Sequence, residues 1–275
     1  MHPARPRPTS RYRRSSMVRP LLAAAGAVLG LMGLTLVAPD SATATPQALP
    51  AATDRGAVRS AHHGALAETT PGLEIGGLAR PIDWAGAYAA GARFVYLKAT
   101  EGTSYQDPDF PTDSADAAKA GFLRGAYHFA TPSTSTGTAQ ADYFVAHGGS
   151  WSADGKTLPP LLDIENGASS ACWGLGQAAM RTWLTDFVGE VHARTGRWPV
   201  VYTTTSWWTQ CTGDFAGLGT NDPLFIARNA TDPGTLPAGW ATWTFWQHPE
   251  TGRFPGDGVD FNGSLSALQR LANNG

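Results

Sequence analysis

The 275-residue chain reads as an α/β protein, a TIM-like barrel of parallel strands, the last of which have lost their helices. Two observations predict this. Short apolar runs alternate with amphipathic stretches through the last residues of the chain, about 200 in all, as the strands and helices of a β/α repeat do. Eight strand candidates stand against five helix candidates, and the helices interleave with the early strands. The competing architecture, a doubly wound open sheet, would carry a Gly-rich phosphate fingerprint after a strand, and none is present.

In chain order, Leu73 to Gly76 is the first apolar run and strand. Asp83 looks like a cap with apolar residues after it, so a helix runs to Ala90 and Gly91 stops it. Arg93 to Thr100 is the second strand, Asp109 to Ala120 a helix that Gly121 ends, and Phe122 to Ala130 the third strand. Thr138 to His147 is a helix, Pro160 to Glu165 a strand, and Gly176 to Thr195 a long helix. Strands then follow at Pro199 to Thr203, Pro223 to Arg228, Trp243 to His248 and Gly258 to Phe261, before a last helix from Ser264 to Asn273.

Two segments precede the barrel. Residues 1–20 carry Arg5, Arg7, Arg11, Arg13, Arg14 and Arg19 with no acid, and the apolar run Leu21 to Val37 follows, a pattern that reads as a secretory signal. Ala42-Thr43-Ala44 offers a cleavage site, and Arg13-Arg14 keeps twin-arginine export open beside general secretion. The apolar run approaches but does not reach the roughly 20 residues that span a bilayer, so an uncleaved anchor is the weaker reading and no lasting membrane anchor is expected. Residues 45–70, rich in Ala, Thr, Ser and Pro without periodicity, read as a flexible linker or propeptide. The organisation expected is therefore a signal peptide over 1–44, a linker over 45–70 and one barrel domain over 71–275.

Composition narrows the function. Gly 32 and Pro 20 of 275 residues fall short of a disordered or collagen-like chain. The formal net charge of −2 excludes a protein that lives by neutralising nucleic acid phosphates. Outside the leader, 14 basic and 21 acidic residues remain, a net charge near −7. Ten Trp occur, at 84, 151, 173, 183, 198, 207, 208, 240, 243 and 246, all after the linker, and they are expected to supply much of the affinity for a ligand. Only Cys172 and Cys211 are present, an even count that in an exported protein predicts one disulfide closing a loop of about 40 residues. No His or Asp cluster has ligand spacing, so no metal or cofactor is expected.

The chemistry concentrates at strand ends. In Leu161-Leu162-Asp163-Ile164-Glu165 an apolar strand ends in two carboxylates at i and i+2, which alternation points to one face. Two acids side by side cannot both ionise cheaply, so one keeps a proton near neutral pH, the arrangement glycoside hydrolysis needs. The same rule at other strand ends selects Glu74, Lys98 with Glu101, Tyr127 with His128, Tyr202, Trp246 with Gln247, and Asp260 with Asn262. Acids, amides and aromatics together suit a sugar. His128 is read as a structural histidine rather than a catalyst.

The runs Arg80-Pro81-Ile82-Asp83-Trp84, Ala92-Arg93-Phe94-Val95-Tyr96-Leu97-Lys98-Ala99-Thr100-Glu101-Gly102, Gly125-Ala126-Tyr127-His128-Phe129-Ala130, Leu162-Asp163-Ile164-Glu165 and Phe245-Trp246-Gln247 resemble glycoside hydrolase family 25, the secreted and phage-type lysozymes. The resemblance runs from about Gly72 to the C-terminus. It implies an irregular (β/α)5(β)3 barrel and hydrolysis of the β-1,4 bond between N-acetylmuramic acid and N-acetylglucosamine in peptidoglycan. Carried over by position, the general acid falls on Glu165 and its neighbouring carboxylate on Asp163, with the late acidic position on Asp260. The implied mechanism has Glu165 protonate the leaving oxygen, while Asp163 either orients the substrate's 2-acetamido group for internal attack or supports a water. Glu74, Asp260, Tyr127, Lys98, Glu101, Trp246, Gln247 and Tyr202 are the expected substrate contacts. A secreted monomer acting on glycan strands is the expectation.

One departure stands out. Where the family opens with Asp-Val-Ser, this chain has Glu74-Ile75-Gly76, a charge kept on a longer arm. That leaves open a glycan-binding relative that no longer turns over. A chitinase-type reading shares the Asp163 and Glu165 spacing but finds Leu158 and Leu161 where acids belong.

Overall fold

The structure, a computed structural model, describes residues 68–77, 81–249 and 252–273. The expected signal peptide and the linker up to residue 67 lie outside the described residues. In chain order the elements are β1 (Thr70–Ile75), α1 (Trp84–Ala89), β2 (Phe94–Glu101), β3 (Tyr105–Gln106), α2 (Phe110–Lys119), β4 (Leu123–Phe129), α3 (Gly137–Ala146), β5 (Leu161–Asp163), α4 (Gln177–Thr195), β6 (Val200–Thr203), α5 (Thr205–Thr212), β7 (Leu224–Ala227), β8 (Phe245–Gln247), β9 (Asp257–Phe261) and α6 (Leu265–Ala272). The sheet runs β1-β9-β8-β7-β6-β5-β4-β2-β3, and β1 also pairs with β2, so eight strands close into a barrel with β3 as a short arm of β2. Five β/α units and three further strands make the irregular TIM-like barrel.

Local signals set several helix ends. Asp83 accepts from the Gly86 amide at 2.8 Å, and Thr136, Thr204 and Ser264 cap α3, α5 and α6 in the same way. Gly91 and Gly121 adopt left-handed φ of 110° and 97° just after α1 and α2.

Three features depart from the expectation. Strand β1 begins at Thr70, inside the expected linker, because Thr70 pairs with Phe261 of β9 and its hydroxyl donates to the Gly263 carbonyl at 2.8 Å. The helix α5 was not predicted: Thr-Thr-Ser-Trp-Trp has weak helical preference, and tertiary burial of Trp207, Trp208 and Cys211 secures it. Most consequentially, β9 is antiparallel to both β8 and β1, not parallel as a regular barrel would have it. The β8–β9 connection is too short for the crossover helix that a parallel return requires.

Strand alternation divides the core into two layers. Phe94, Tyr96, Leu161, Val200, Tyr202, Phe225, Phe245, Val259 and Phe261 point into the barrel. Leu162, Ile164, Val201, Leu224 and Ile226 point out against α3, α4 and α5. Aromatic rings fill the interior, with Phe94–Phe245, Phe225–Phe245 and Tyr202–Phe225 centroids 5.3, 5.5 and 5.1 Å apart. Room for them comes from glycine at two inward positions. A Cβ at Gly72 would stand 2.4 Å from the Phe94 ring, and one at Gly125 would stand 2.2 Å from Tyr96.

Half of the tryptophans belong to this scaffold. Trp84, Trp183, Trp207, Trp208 and Trp240 are buried, which removes them from the set expected to supply ligand affinity. Four of their indole N–H groups are bonded internally, Trp183 to Ser135 O, Trp207 to Ala171 O, Trp208 to Phe215 O and Trp240 to Asp222 O.

Candidate active site

The carboxyl ends of β1, β2, β4, β5, β6 and β8 bring the inward side chains of their last residues to one mouth. Asp163 ends β5 and is buried, whereas Glu165, two residues on and on the same face, is half-buried. Glu74, near the end of β1, is buried beside them. Its Oε2 receives the Gln247 amide at 3.4 Å, and the Gln247 Oε1 accepts from the Tyr202 hydroxyl at 2.9 Å. Gln247 is thereby oriented from both ends.

A fourth carboxylate joins them from β9. Because that strand runs antiparallel, its first residue rather than its last reaches the mouth, and Asp257 sits opposite Glu74 in the ladder. The resulting field is strongly perturbing. Burial, then the charges of Asp257 and Glu165, push Glu74 up to about 8. Burial, then Glu165 and Glu74, push Asp163 well above the usual carboxylate range, with Lys98 opposing. At neutral pH Glu74 and Asp163 therefore both favour their protonated forms. The Asp163 Oδ1 atom is buried with no hydrogen-bond partner among the described residues, an acceptor whose desolvation is not compensated within the fold.

Lys98 and Glu101, three residues apart, would face opposite sides of a regular strand. The ladder between β2 and β4 shifts register between Lys98 and Thr100, which resets the alternation and puts both at the mouth. Lys98 Nζ meets Glu101 Oε2 at 2.7 Å and lies 4.9 Å above the Phe129 ring. Tyr127 reaches across to β1, where a Cβ at Gly76 would stand 2.2 Å from its hydroxyl. Gly76 thus makes room for a phenol in the stretch that departs from Asp-Val-Ser. Burial raises Tyr127 and Tyr202 well above the usual phenol range, so both remain protonated.

Two expected contacts are not brought to this cluster. Trp246 and Asp260, paired across β8 and β9, have the opposite parity to Gln247 and Val259 and face outward. Trp246 donates to the Arg228 carbonyl at 3.2 Å, and Asp260 Oδ2 lies 3.7 Å from His248 Nε2. His128 also faces outward, fully buried between Thr100 at 2.8 Å and Gln140 at 3.0 Å, and burial lowers it to about 4. Its role is structural. Among the described residues no group of His, Cys, Asp and Glu could hold a metal ion.

Sequence reasoning missed Asp257 and Trp173. Asp257 shares parity with Val259 and Phe261, a signal that needs the strand direction to be useful. The Trp173 indole donates to the Glu165 carbonyl at 2.9 Å. Next to it, Cys172 is joined to Cys211 of α5, the disulfide expected from the cysteine count.

Comparisons with known proteins agree on one family. The model of Glycosyl hydrolases family 25 matches residues 78–257. The N,O-diacetylmuramidase of Chalaropsis sp is 48% identical over 209 residues, covering 74% of this chain and 99% of its own length. Lysozyme M1 of Streptomyces globisporus is 47% identical over 209 residues, covering 74% of this chain and 71% of its own. Among solved structures, a muramidase from Trichobolus zukalii superposes with a TM-score of 0.73 at 48% identity, covering 75% of this chain and 100% of its own. A bacterial lysozyme from Streptomyces coelicolor gives 0.72 at 46% identity, covering 74% and 97%.

Proposed function

Since the chain belongs to glycosyl hydrolases family 25 and is a glycoside hydrolase, we propose that it is a lysozyme of the N-acetylmuramidase type. It cleaves the β-1,4 bond between N-acetylmuramic acid and N-acetylglucosamine in peptidoglycan. The observation that carries this reading is the Asp163–Glu165 pair, set with Glu74 and Asp257 at the mouth of a closed barrel.

Glu165 is the general acid. It is the more exposed of the pair and meets the glycosidic oxygen, to which it gives a proton as the bond breaks. Asp163 lies beneath, and its unpartnered Oδ1 accepts from the group that attacks the anomeric carbon or from the group that carries the attack. If that donor is the 2-acetamido N–H, the acetamido oxygen attacks and the first product retains its anomeric configuration. If it is a water, the configuration inverts, so proton NMR of the first-formed product separates the routes. Glu74, held by Gln247, and the neutral phenols of Tyr127 and Tyr202 line the floor on which the sugar rests.

The surrounding organisation follows the same reading. Residues 1–44 form a signal peptide that directs export, 45–69 a linker, and the barrel from Thr70 acts extracellularly as a monomer on glycan strands. Among the described residues no helix is long and apolar enough to cross a membrane.

The deciding experiment is clearance of a peptidoglycan suspension by wild type and Glu165→Gln, with mass spectrometry of the released fragments. Clearance by wild type alone, with reducing-end muramic acid, is the expected result. Failure of both proteins to clear while both still bind glycan would make the chain a binding relative. Reducing-end glucosamine would reassign the bond cleaved.

A further inference from the structure

Glu165 lies two residues beyond Asp163, the last residue of β5. The ladder ends at Asp163 opposite Tyr202, and the last bond of that kind runs from the Ile164 amide to the Tyr202 carbonyl at 3.1 Å. Beyond the ladder, the Trp173 indole Nε1–H donates to the Glu165 carbonyl at 2.9 Å.

Trp173 adopts this pose at a conformational cost. Its φ is +58°, a left-handed backbone that bulky residues avoid, and among the described non-glycine residues only Asp214 shares it. Gly174 follows at φ +74°. A second glycine at 173 would fit the turn without strain, yet an indole stands there. The surroundings hold it in place. Cys172 is tied to Cys211, the Trp207 indole donates to the Ala171 carbonyl at 2.8 Å, and the Trp173 amide donates to Ser170 O at 3.0 Å. The ring lies against Gly167, where a Cβ would come within 2.9 Å of it, and meets Phe129 edge-on at 6.2 Å.

We infer that Trp173 is a positioning residue for the general acid: its indole N–H, held by a strained and disulfide-tethered turn, fixes the Glu165 backbone and so aims the carboxyl at the glycosidic oxygen. The inference rests on Glu165 being the acid. It assigns the strain at Trp173 to catalysis, because the hydrogen bond needs an indole at that place and the indole needs that backbone.

The test measures kcat, KM and the pH–rate profile on solubilised peptidoglycan for wild type, Trp173→Phe, Trp173→Gly and Glu165→Gln. Trp173→Phe keeps a ring and loses the N–H. It should lower kcat about tenfold, as small misplacements of a reacting group do, with KM within twofold and the alkaline limb of the profile moved by half a pH unit or more. Trp173→Gly fits the left-handed turn and secures the test if the Phe variant folds poorly. It should lose kcat at least as far while its disulfide and circular dichroism stay as in wild type. Wild-type kcat in both Trp173 variants beside an inactive Glu165→Gln overturns the positioning role alone, as does a rise in KM with kcat unchanged. Full turnover by Glu165→Gln overturns the acid assignment and the inference with it.

Discussion

Shortening Glu74 to Asp asks whether the site is built for the longer carboxylate. The change removes one methylene and withdraws the carboxyl by about 1.5 Å, one C–C bond. The Gln247 Nε2 to Glu74 Oε2 separation of 3.4 Å would open to roughly 4.9 Å, beyond hydrogen-bond range. Gln247 cannot follow, since its Oε1 is held by the Tyr202 hydroxyl at 2.9 Å. An amide left without its acceptor costs about 1–2 kcal/mol. If that cost falls on the transition state, turnover drops about tenfold, and toward a hundredfold if the carboxyl must touch substrate. The assay is the initial rate of clearance of a peptidoglycan suspension at equal concentrations of folded protein, with product yield read by mass spectrometry. A Glu74→Asp variant as fast as wild type would refute this reasoning, and a faster one would show Glu74 to be a misplaced version of the family's Asp.

Two predictions concern stability. Asp222 is buried below β7 with Oδ1 unpartnered among the described residues, and burial raises it to about 8 from 3.8. The folded state therefore favours its protonated form, a contribution fully present below about pH 4 and lost as pH rises through 8. Asp222→Asn should match wild type near pH 4 and exceed it by about 5 kcal/mol, roughly 15 °C in Tm, above pH 8.5. Parallel Tm curves for the two proteins across this range would contradict the assignment. Replacing Cys172 and Cys211 together by Ser opens a loop of sequence separation 39 and should cost about 3–4 kcal/mol, near 10 °C in Tm. Unfolded, unreduced wild-type protein should titrate no free thiol.

Attraction to the proposed substrate is short-ranged. From residue 45 onward the chain is acidic, and the mouth gathers the carboxyl groups of Glu74, Asp163, Glu165 and Asp257, while Lys98 is already paired with Glu101 at 2.7 Å. A field of that sign does not draw in an anionic polymer. Five of the ten indoles are committed to the core and Trp246 is turned outward, so the aromatic rings at the mouth are chiefly Tyr127, Tyr202 and Phe129, with Trp173 packed edge-on to Phe129. Half of the tryptophans thus serve the barrel's core.

Why the strands and most helices were legible in the sequence, and part of the site was not, comes down to direction. Alternation along a strand is a local property, so the Asp163 and Glu165 pairing and the inward face of Gln247 could be read from spacing alone. Two non-local facts then decide which residues meet. The register shift at Lys98 to Thr100 puts Lys98 and Glu101 on one side, and no composition cue marks it. The reversal of β9 is set by the short β8–β9 connection, a non-local consequence of a length that is itself visible in the sequence. Taking β9 as parallel assigns its C-terminal acid, Asp260, to the mouth. Taking it as antiparallel brings its N-terminal end there instead, and alternation selects Asp257, in phase with Val259 and Phe261. For the last strands of an irregular barrel, then, connection length has to be read before side-chain parity, because parity names the face and only direction names the end.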